Sequence, residues 1–163
     1  MALKPLIILF ISTGNAARSI MAEALLNGKG SGRFMARSAG CAPLAGVHPE
    51  TLSLLRGAGY ETESLHTKAA NEFMVSAHIV KVDVIVTLSE ESRQHCLKWP
   101  GDPVRVHWAV DNPLGAQRED MREWKFRKLF ATLEARINAL VRGRAPQNSG
   151  ELLLQLKDIG MVV

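Results

Sequence analysis

The sequence predicts an α/β fold built around a mainly parallel sheet. The continuous apolar run over 5–11, which is rich in branched residues, is typical of a strand buried on both faces, and 82–88 predicts a second strong buried strand. Segments with apolar residues at helical spacing alternate with the strand-like segments along the chain. No repeat or low-complexity tract interrupts this order, and a length of 163 residues suits one domain.

The first half of the chain alternates strands and helices. The strand over 5–11 leads into a turn, and the helix that follows is predicted to stop near Gly28. A second strand is predicted over 33–40, and a second helix over 48–60. The apolar positions of the first helix are Ile20, Met21, Ala24 and Leu25.

The second half continues the alternation. A helix is predicted over 71–81, the third strand over 82–88, a short helix or turn over 90–99, and the fourth strand over 103–108. A long amphipathic helix follows over 117–142, with Arg122, Lys125, Lys128 and Arg136 largely off its apolar face. The residues of that apolar face are Met121, Phe126, Phe130, Leu133, Ile137 and Leu140.

The last segment suggests an extension of the same domain. A polar break over 143–150 precedes a short apolar helix over 151–160. We therefore predict one domain over 1–145 and a C-terminal extension over 146–163 that packs on it.

Composition and charge narrow the class of protein. Apolar residues make up 47% of the chain, which is typical of a globular domain, and the formal net charge is +4. A mild excess of positive charge suits a small anionic partner and falls short of the dense basic stripe of a nucleic-acid-binding protein. Two cysteines are few for a secreted chain that depends on disulfides. The first apolar run is too short to span a bilayer and has no cleavage site after it, so we expect a cytoplasmic protein without a membrane segment.

The turn after the first strand has the features of an anion cradle. Gly14 and Asn15 tolerate unusual backbone angles, so the turn can curl and aim consecutive N–H groups at one point. The following helix adds the positive end of its dipole, and Arg18 adds a planar fork of donors. Together they predict a site for a tetrahedral oxyanion. The alternative is a glycine turn with a surface arginine, but the buried strand before it and the amphipathic helix after it favour the cradle.

This stretch, "STGNAARS", resembles the phosphate loop of low-molecular-weight protein tyrosine phosphatases and of the arsenate reductases that share their fold. The family pattern is a cysteine, five residues, then arginine and serine; Arg18 and Ser19 match, and Ser12 stands at the cysteine position. The segments "RSAGCAP", "DVIVTLSEES" and "HWAVDNP" extend the resemblance, which is strongest to the thioredoxin-coupled arsenate reductases. It implies a three-layer sandwich with a four-stranded parallel sheet in the order 2-1-3-4.

The resemblance also implies roles for the residues of the turn. Asn15 would stabilise the loop, and Ser19 would hydrogen-bond the residue at the nucleophile position. The oxyanion-binding residues would be Thr13, Gly14, Asn15, Ala16, Ala17 and Arg18.

Two catalytic groups of the family are replaced in this chain. The hydroxyl of Ser12 is far harder to deprotonate than a thiol and has no redox chemistry. The family acid is an aspartate directly before a proline, and Asn112 occupies that position. Asp111 could substitute, although a shift of one residue normally points a side chain elsewhere. We therefore expect binding to survive and little or no turnover.

The thiol relay of the thioredoxin-coupled reductases is incomplete as well. Its two positions align with Ser89 and Cys96, and a relay needs both thiols. An active parent would use thioredoxin or glutaredoxin as reductant. Cys41 has no role in the family pattern and is interpreted as a packing residue. No cofactor is implied, and no metal site is expected, because the histidines lack metal-ligand spacing.

Two explanations of Ser12 remain open. It is either an introduced substitution in an active enzyme or a product of natural divergence, and the further changes at Asn112 and Ser89 favour divergence. The predicted function is an arsenate reductase-like or phosphatase-like protein that binds arsenate, phosphate or sulfate as a monomer or weak dimer. The alternatives are an active enzyme captured as a variant, and a phosphotyrosine-binding or scaffold module. Ala16 and Ala17 place no aromatic ring in the loop, which favours a small inorganic anion over phosphotyrosine.

Overall fold

The computed structural model describes residues 4–30, 32–75, 81–95 and 99–162. Four strands form one all-parallel sheet in the order β2-β1-β3-β4, as expected. The strands are β1 (Leu6–Ser12), β2 (Phe34–Gly40), β3 (Val84–Thr87) and β4 (Val104–His107). The helices are α1 (Arg18–Lys29), α2 (Pro49–Gly57), α3 (Ala70–Val75), α4 (Glu90–His95), α5 (Glu119–Arg142) and α6 (Ser149–Ile159), with a 3₁₀ turn over Pro113–Gly115.

The sheet separates two apolar layers, which gives the predicted three-layer sandwich. Ile8 and Phe10 of β1 face a core shared with α1, α5 and α6. Leu9 and Ile11 point to the opposite face, where α3 contributes Ala70. Successive residues of a strand point to opposite faces, so the continuous apolar run of β1 fills both cores.

The strand register brings all four carboxyl ends to one edge. Ser12 pairs with Gly40 of β2, and Ile11 pairs with Thr87 of β3. Thr87 in turn pairs with His107 at the end of β4. Ligands of open parallel sheets bind beyond this edge, and the loop after Ser12 lies there.

Three details of the helices differ from the sequence predictions. Gly28 does not end α1, which continues to Lys29; a Cβ at Gly28 would lie 2.6 Å from the ring of Tyr60, so the glycine allows close packing. Met121 is 43% exposed, because the buried face of α5 begins only at Phe126. Arg136, predicted to lie off the apolar face, is buried. The helix predicted over 71–81 is observed as α3, and its remainder falls largely outside the described residues.

The C-terminal helix packs on the same core as the sheet. Leu152, Leu156 and Ile159 of α6 are buried in the cluster that contains Phe10 and Trp108. The indole N–H of Trp108 donates to the carbonyl of Leu156 at 2.9 Å. No helix in the described part of the chain is long and apolar enough to cross a bilayer.

Candidate functional site

The carbonyl groups of the loop between β1 and α1 bind this loop to a neighbouring segment. Four of them accept hydrogen bonds from backbone N–H groups of the segment 41–48, which follows β2. The pairs, donor first, are Cys41 to Ser12 (3.2 Å), Ala42 to Thr13 (2.9 Å), Leu44 to Gly14 (2.9 Å) and His48 to Ala16 (3.0 Å).

None of these four bonds uses an N–H group of the loop itself. Among the described residues, the N–H groups of Gly14, Ala16 and Ala17 have no protein acceptor. Arg18 begins α1 at the same place, so the positive end of the helix dipole adds to these donors. The loop thus has backbone donors without a protein partner directly before the N-terminus of α1, which are the groups that an anion site needs.

Asn15 stabilises the curved backbone conformation of the loop. Its φ of 51° lies in the left-handed region that asparagine tolerates, and its side chain is fully buried. Its Nδ2 donates to Ser19 Oγ at 2.7 Å, and its Oδ1 accepts the N–H of Lys68 at 2.8 Å. Gly40 lies directly beneath, where a Cβ would be 2.8 Å from the carbonyl oxygen of Thr13.

Ser12 lies at the base of the loop and is buried. Its Oγ is 2.7 Å from Ser19 Oγ, and it accepts the N–H of Asn15 at 3.2 Å. Among the described residues, no histidine or carboxylate is hydrogen-bonded to the hydroxyl of Ser12. The surroundings of this atom thus supply donors that would stabilise an anion, and they supply no base that would create one.

Arg18 closes the other side of the site. Its guanidinium is mostly buried and donates weakly to the carbonyl of Val110 at 3.5 Å. Burial lowers the pKa of Arg18, and the negative charges of Glu91 and Asp111 oppose that shift. An arginine in such a place stays charged and offers a planar fork to an oxyanion.

A cavity of about 150 Å³ lies between the loop and Arg18. Its outer wall is aliphatic, and no aromatic side chain of the described residues lines it. The lining residues outside the loop are Ala42, Leu44, Asn112 and Leu114. A space of this size, with donors at its base and short apolar walls, suits a small tetrahedral anion.

The residue at the acid position of the family, Asn112, and its neighbour Asp111 line different cavities. Asn112 lines the cavity above the loop, and its Oδ1 accepts the N–H of Leu114 at 3.1 Å, which caps the 3₁₀ turn. Asp111 instead lines a neighbouring cavity together with Trp124 and Arg136. Asp111 is thus absent from the lining of the loop cavity, although its negative charge still acts on Arg18.

A chain of hydroxyl groups, which sequence reasoning missed, links the loop to α4. Thr13 Oγ1 donates to Ser89 Oγ at 2.9 Å, and Ser89 Oγ donates to Ser92 Oγ at 2.9 Å. Ser89, the first relay position, is therefore a buried structural hydroxyl. Cys96, the second relay position, lies outside the described residues.

The described cysteine does not replace the missing nucleophile. Cys41 is half-buried at the end of β2, and burial raises the pKa of its thiol, with the negative charge of Glu91 adding to the shift. Its thiol is therefore protonated at neutral pH, although the charge of Arg18 opposes this.

Glu23, Ser38 and Lys68 form a second group of interacting residues that the sequence did not reveal. It is connected to the loop because the backbone N–H of Lys68 donates to Asn15. Glu23 is buried, accepts the hydroxyl of Ser38 at 2.6 Å and lies 3.9 Å from Lys68 Nζ. Burial raises the pKa of Glu23 and lowers that of Lys68. Within the described ranges, no group of three or more His, Cys, Asp or Glu side chains could hold a metal ion.

Comparisons with known proteins agree with this geometry. The model of the family described as low molecular weight phosphotyrosine protein phosphatase matches residues 7–149. The arsenate reductase of Halalkalibacterium halodurans is 28% identical over 132 residues, which cover 80% of this chain and 91% of that protein. The crystal structure of arsenate reductase from Archaeoglobus fulgidus DSM 4304 aligns with a TM-score of 0.66 and 30% identity, over 83% of this chain and 99% of that one.

A second solved structure is alike in fold. It is a cysteine-to-serine mutant of the YwlE arginine phosphatase with a phosphorylated active site serine; it aligns with a TM-score of 0.61 and 20% identity, over 85% of this chain and 98% of that one. The family match covers most of the chain, and the loop, sheet order and relatives agree with it. The chain therefore belongs to the low molecular weight phosphotyrosine protein phosphatase family, on its arsenate reductase branch.

Proposed function

We propose that this protein binds a tetrahedral oxyanion, arsenate or phosphate, in the cavity between the loop 12–17 and Arg18. The proposal rests on one observation: four loop carbonyls accept hydrogen bonds from the segment 41–48, while the N–H groups of Gly14, Ala16 and Ala17 have no acceptor among the described residues. Free backbone donors, a helix N-terminus and a buried guanidinium stabilise negative charge at the same point. None of these groups depends on the side chain at position 12.

The walls of the cavity favour an inorganic anion. Leu44 and Leu114 offer short aliphatic contacts, whereas a phenyl ring would gain most from stacking on an aromatic side chain. Arsenate and phosphate have the same shape and charge, so the site holds either. Phosphotyrosine binding stays the second candidate, since the cavity opens at the surface.

We further propose that turnover is low because Ser12 stands where the family has its cysteine. Among the described residues, this hydroxyl is bonded to Ser19 and to the N–H of Asn15, and neither group is a base that would deprotonate it. Asn112 has no proton to give to a leaving oxygen. The alkoxide of a serine is also a poor leaving group, so a phosphoryl group that reached Ser12 would stay there. The phosphorylated serine of the arginine phosphatase mutant is consistent with such a trapped state.

The serine at position 12 impairs arsenate reduction more severely than it impairs phosphoryl transfer. Arsenate reduction in this family draws electrons from thiols, and a hydroxyl cannot supply them. Ser89 likewise cannot form a disulfide with position 96, so no internal relay to a thioredoxin or glutaredoxin exists in this chain. An active parent would need thiols at positions 12 and 89. The residue encoded at position 12 in the native gene distinguishes natural divergence from an introduced change.

Calorimetric titration tests the binding proposal. We expect heat with phosphate and arsenate and weaker heat with phosphotyrosine. The part of this heat that belongs to the loop site should be lost in Arg18→Ala. Arg127→Ala is the matched control, because Arg127 is exposed, pairs with Glu123 and lines neither cavity. Markedly tighter phosphotyrosine binding would replace the inorganic ligand by the second candidate. No heat with any of the three anions would point to a scaffold that has lost its ligand.

A further inference from the structure

A second cavity lies on the other side of the segment 109–111. Its volume is about 250 Å³, larger than that of the cavity above the loop. Three of its lining side chains are cations, and only one is acidic. The cations are Lys125, Lys128 and Arg136, and the acid is Asp111.

Arg136 is a buried charge that has no carboxylate partner in the described part of the chain. Its side chain is 6% exposed, and Nε and Nη1 donate to the carbonyls of Val162 at 2.9 Å and Ala109 at 3.3 Å. Among the described residues, no carboxylate forms an ion pair with Arg136. Burial lowers the pKa of its guanidinium, as expected where no negative charge compensates the loss of water.

The rest of the lining is amphipathic. The ring of Trp124 is 54% exposed, and Lys128 Nζ lies 5.1 Å from its centroid. Leu129 is buried and contributes apolar surface, and Thr132 offers a hydroxyl. Aromatic and apolar walls with converging cations are typical of sites for small organic anions.

We propose that this cavity is a second anion site, distinct from the loop 12–17, for a small ligand that carries a phosphate or a carboxylate group. Lys125 and Lys128 bind the anionic group at the rim, and Arg136 supplies positive charge from the buried side. The body of the ligand lies against Trp124. An anion placed there gives Arg136 the counter-charge that it lacks among the described residues.

The two sites share one wall. Ala109 accepts a hydrogen bond from Arg136, and its neighbour Val110 accepts one from Arg18. A ligand in the second cavity therefore lies against the segment that also borders the loop cavity. This inference does not rest on the proposed function, because none of its cations belongs to the loop.

The test abolishes binding at the loop site by a substitution of Arg18 and then measures the anion binding that remains. In Arg18→Met, calorimetry with inorganic phosphate and, separately, with succinate should still show about one anion bound per chain. The addition of Lys125→Met and Lys128→Met should weaken that residual binding at least about tenfold, since charge-assisted contacts are lost. Lys157→Met, which removes an exposed lysine lining neither cavity, should leave it unchanged.

The two probes separate the two sources of the anionic group. Residual binding of phosphate alone assigns a ligand with a phosphate group, and residual binding of succinate alone assigns a ligand with a carboxylate group. Residual binding of both probes assigns a site that recognises negative charge and does not distinguish the two groups. Absence of residual binding of both probes in Arg18→Met overturns the inference, as does residual binding that the lysine substitutions do not change. The difference in bound anion between the native chain and Arg18→Met measures binding at the loop site. Failure of the proposed function would abolish this difference without affecting the residual binding at the second cavity.

Discussion

Ser12 Oγ accepts a backbone N–H and lies 2.7 Å from the hydroxyl of Ser19, at the N-terminal side of α1. A thiolate at this atom would be stabilised by the same donors, the helix dipole and Arg18, all of which lower a thiol pKa. At the scale of single residues, the choice of oxygen or sulfur in the side chain at position 12 therefore decides whether this site only binds an anion or also reacts with it.

We expect Ser12→Cys to raise the hydrolysis of p-nitrophenyl phosphate at least about a hundredfold, because it restores an ionised nucleophile. The initial rate of p-nitrophenol release measures it. Cys41→Ser in the same background is the control and should change little, since the thiol of Cys41 is protonated at neutral pH. If the serine form already matches the cysteine form, Ser12 is not what limits turnover.

Asn112 is the second position where one group decides the chemistry. In the Ser12→Cys background, Asn112→Asp should accelerate the hydrolysis of an alkyl phosphate by about a hundredfold, because general acid catalysis contributes on that order. The p-nitrophenyl ester should gain less, since its leaving group departs without a proton.

Asp111→Asn in the same background is the control for that prediction. Asp111 lines the second cavity and not the cavity above the loop, so loss of its carboxylate should have little effect on hydrolysis. A collapse of alkyl phosphate hydrolysis in that variant would make Asp111 the acid, contrary to its placement.

The limits of sequence reasoning at this scale have a physical cause. Ser12 and Arg18 occur in one short stretch with a recognisable spacing, so the pattern predicts the cradle. The contact of Thr13 with Ser89 joins residues 76 positions apart, and the burial of Arg136 depends on carbonyls of other segments. Such juxtapositions are created by the fold and leave no local trace.

At the scale of elements, the end of β2 supports the loop. The carbonyl of Thr13 and the Cβ of Asn15 would lie 2.8 and 3.0 Å from a Cβ at Gly40, and the backbone there cannot yield freely. We expect Gly40→Ala to lower the free energy of unfolding by about 1–3 kcal/mol, because overpacking displaces the loop. Urea unfolding measures the stability, and phosphate titration should show weaker binding.

Gly46→Ala is the matched control for Gly40→Ala. A Cβ at Gly46 would meet no atom within 4 Å, and its φ is not positive. The change should be neutral or slightly stabilising, because alanine restricts the unfolded chain. Equal effects of the two substitutions would show that the contact beneath the loop is unimportant.

The helices and strands show where local patterns suffice. The apolar run of β1 and the helical spacing after Arg18 predict their elements within a few residues, since burial imposes those periods. Gly28 was interpreted as a helix stop, but the ring of Tyr60 requires a glycine there for another reason. A glycine has several structural uses, and only the packed structure tells which one applies.

At the scale of the whole molecule, α6 completes the core behind β4. Leu156 is fully buried beside Trp108, whereas Leu154 on the same helix is 64% exposed. We expect Leu156→Ala to lower the free energy of unfolding by about 2–5 kcal/mol, because a large apolar side chain leaves a cavity. Denaturant unfolding followed by circular dichroism measures it.

Leu154→Ala makes the same chemical change on the outer face of α6. Its cost should stay within about 0.5 kcal/mol, as for surface substitutions in general. A comparable cost for both leucines would mean that α6 is stabilised by its own propensity and not by the core. The predicted boundary between 1–145 and 146–163 would then mark two separately stable parts.

The order of the strands belongs to this scale too. Alternating strands and helices predict a parallel sheet, because the crossover connections return each strand in the same direction. They do not by themselves choose among strand orders, and the order 2-1-3-4 followed from the resemblance to the phosphatase fold. That order places β1 between β2 and β3, and so sets the loop in the middle of the carboxyl edge.

The four loop carbonyls accept backbone N–H groups, and that of Ala16 also accepts the hydroxyl of Thr51, so none of these bonds involves the side chain at position 12. Serine and cysteine differ by one atom, and their codons can differ by a single base. A lineage could therefore exchange a reactive protein for a non-reactive one, and return, without rebuilding the scaffold. Gene duplicates with this architecture would be well suited to become sensors or competitors of their active copies.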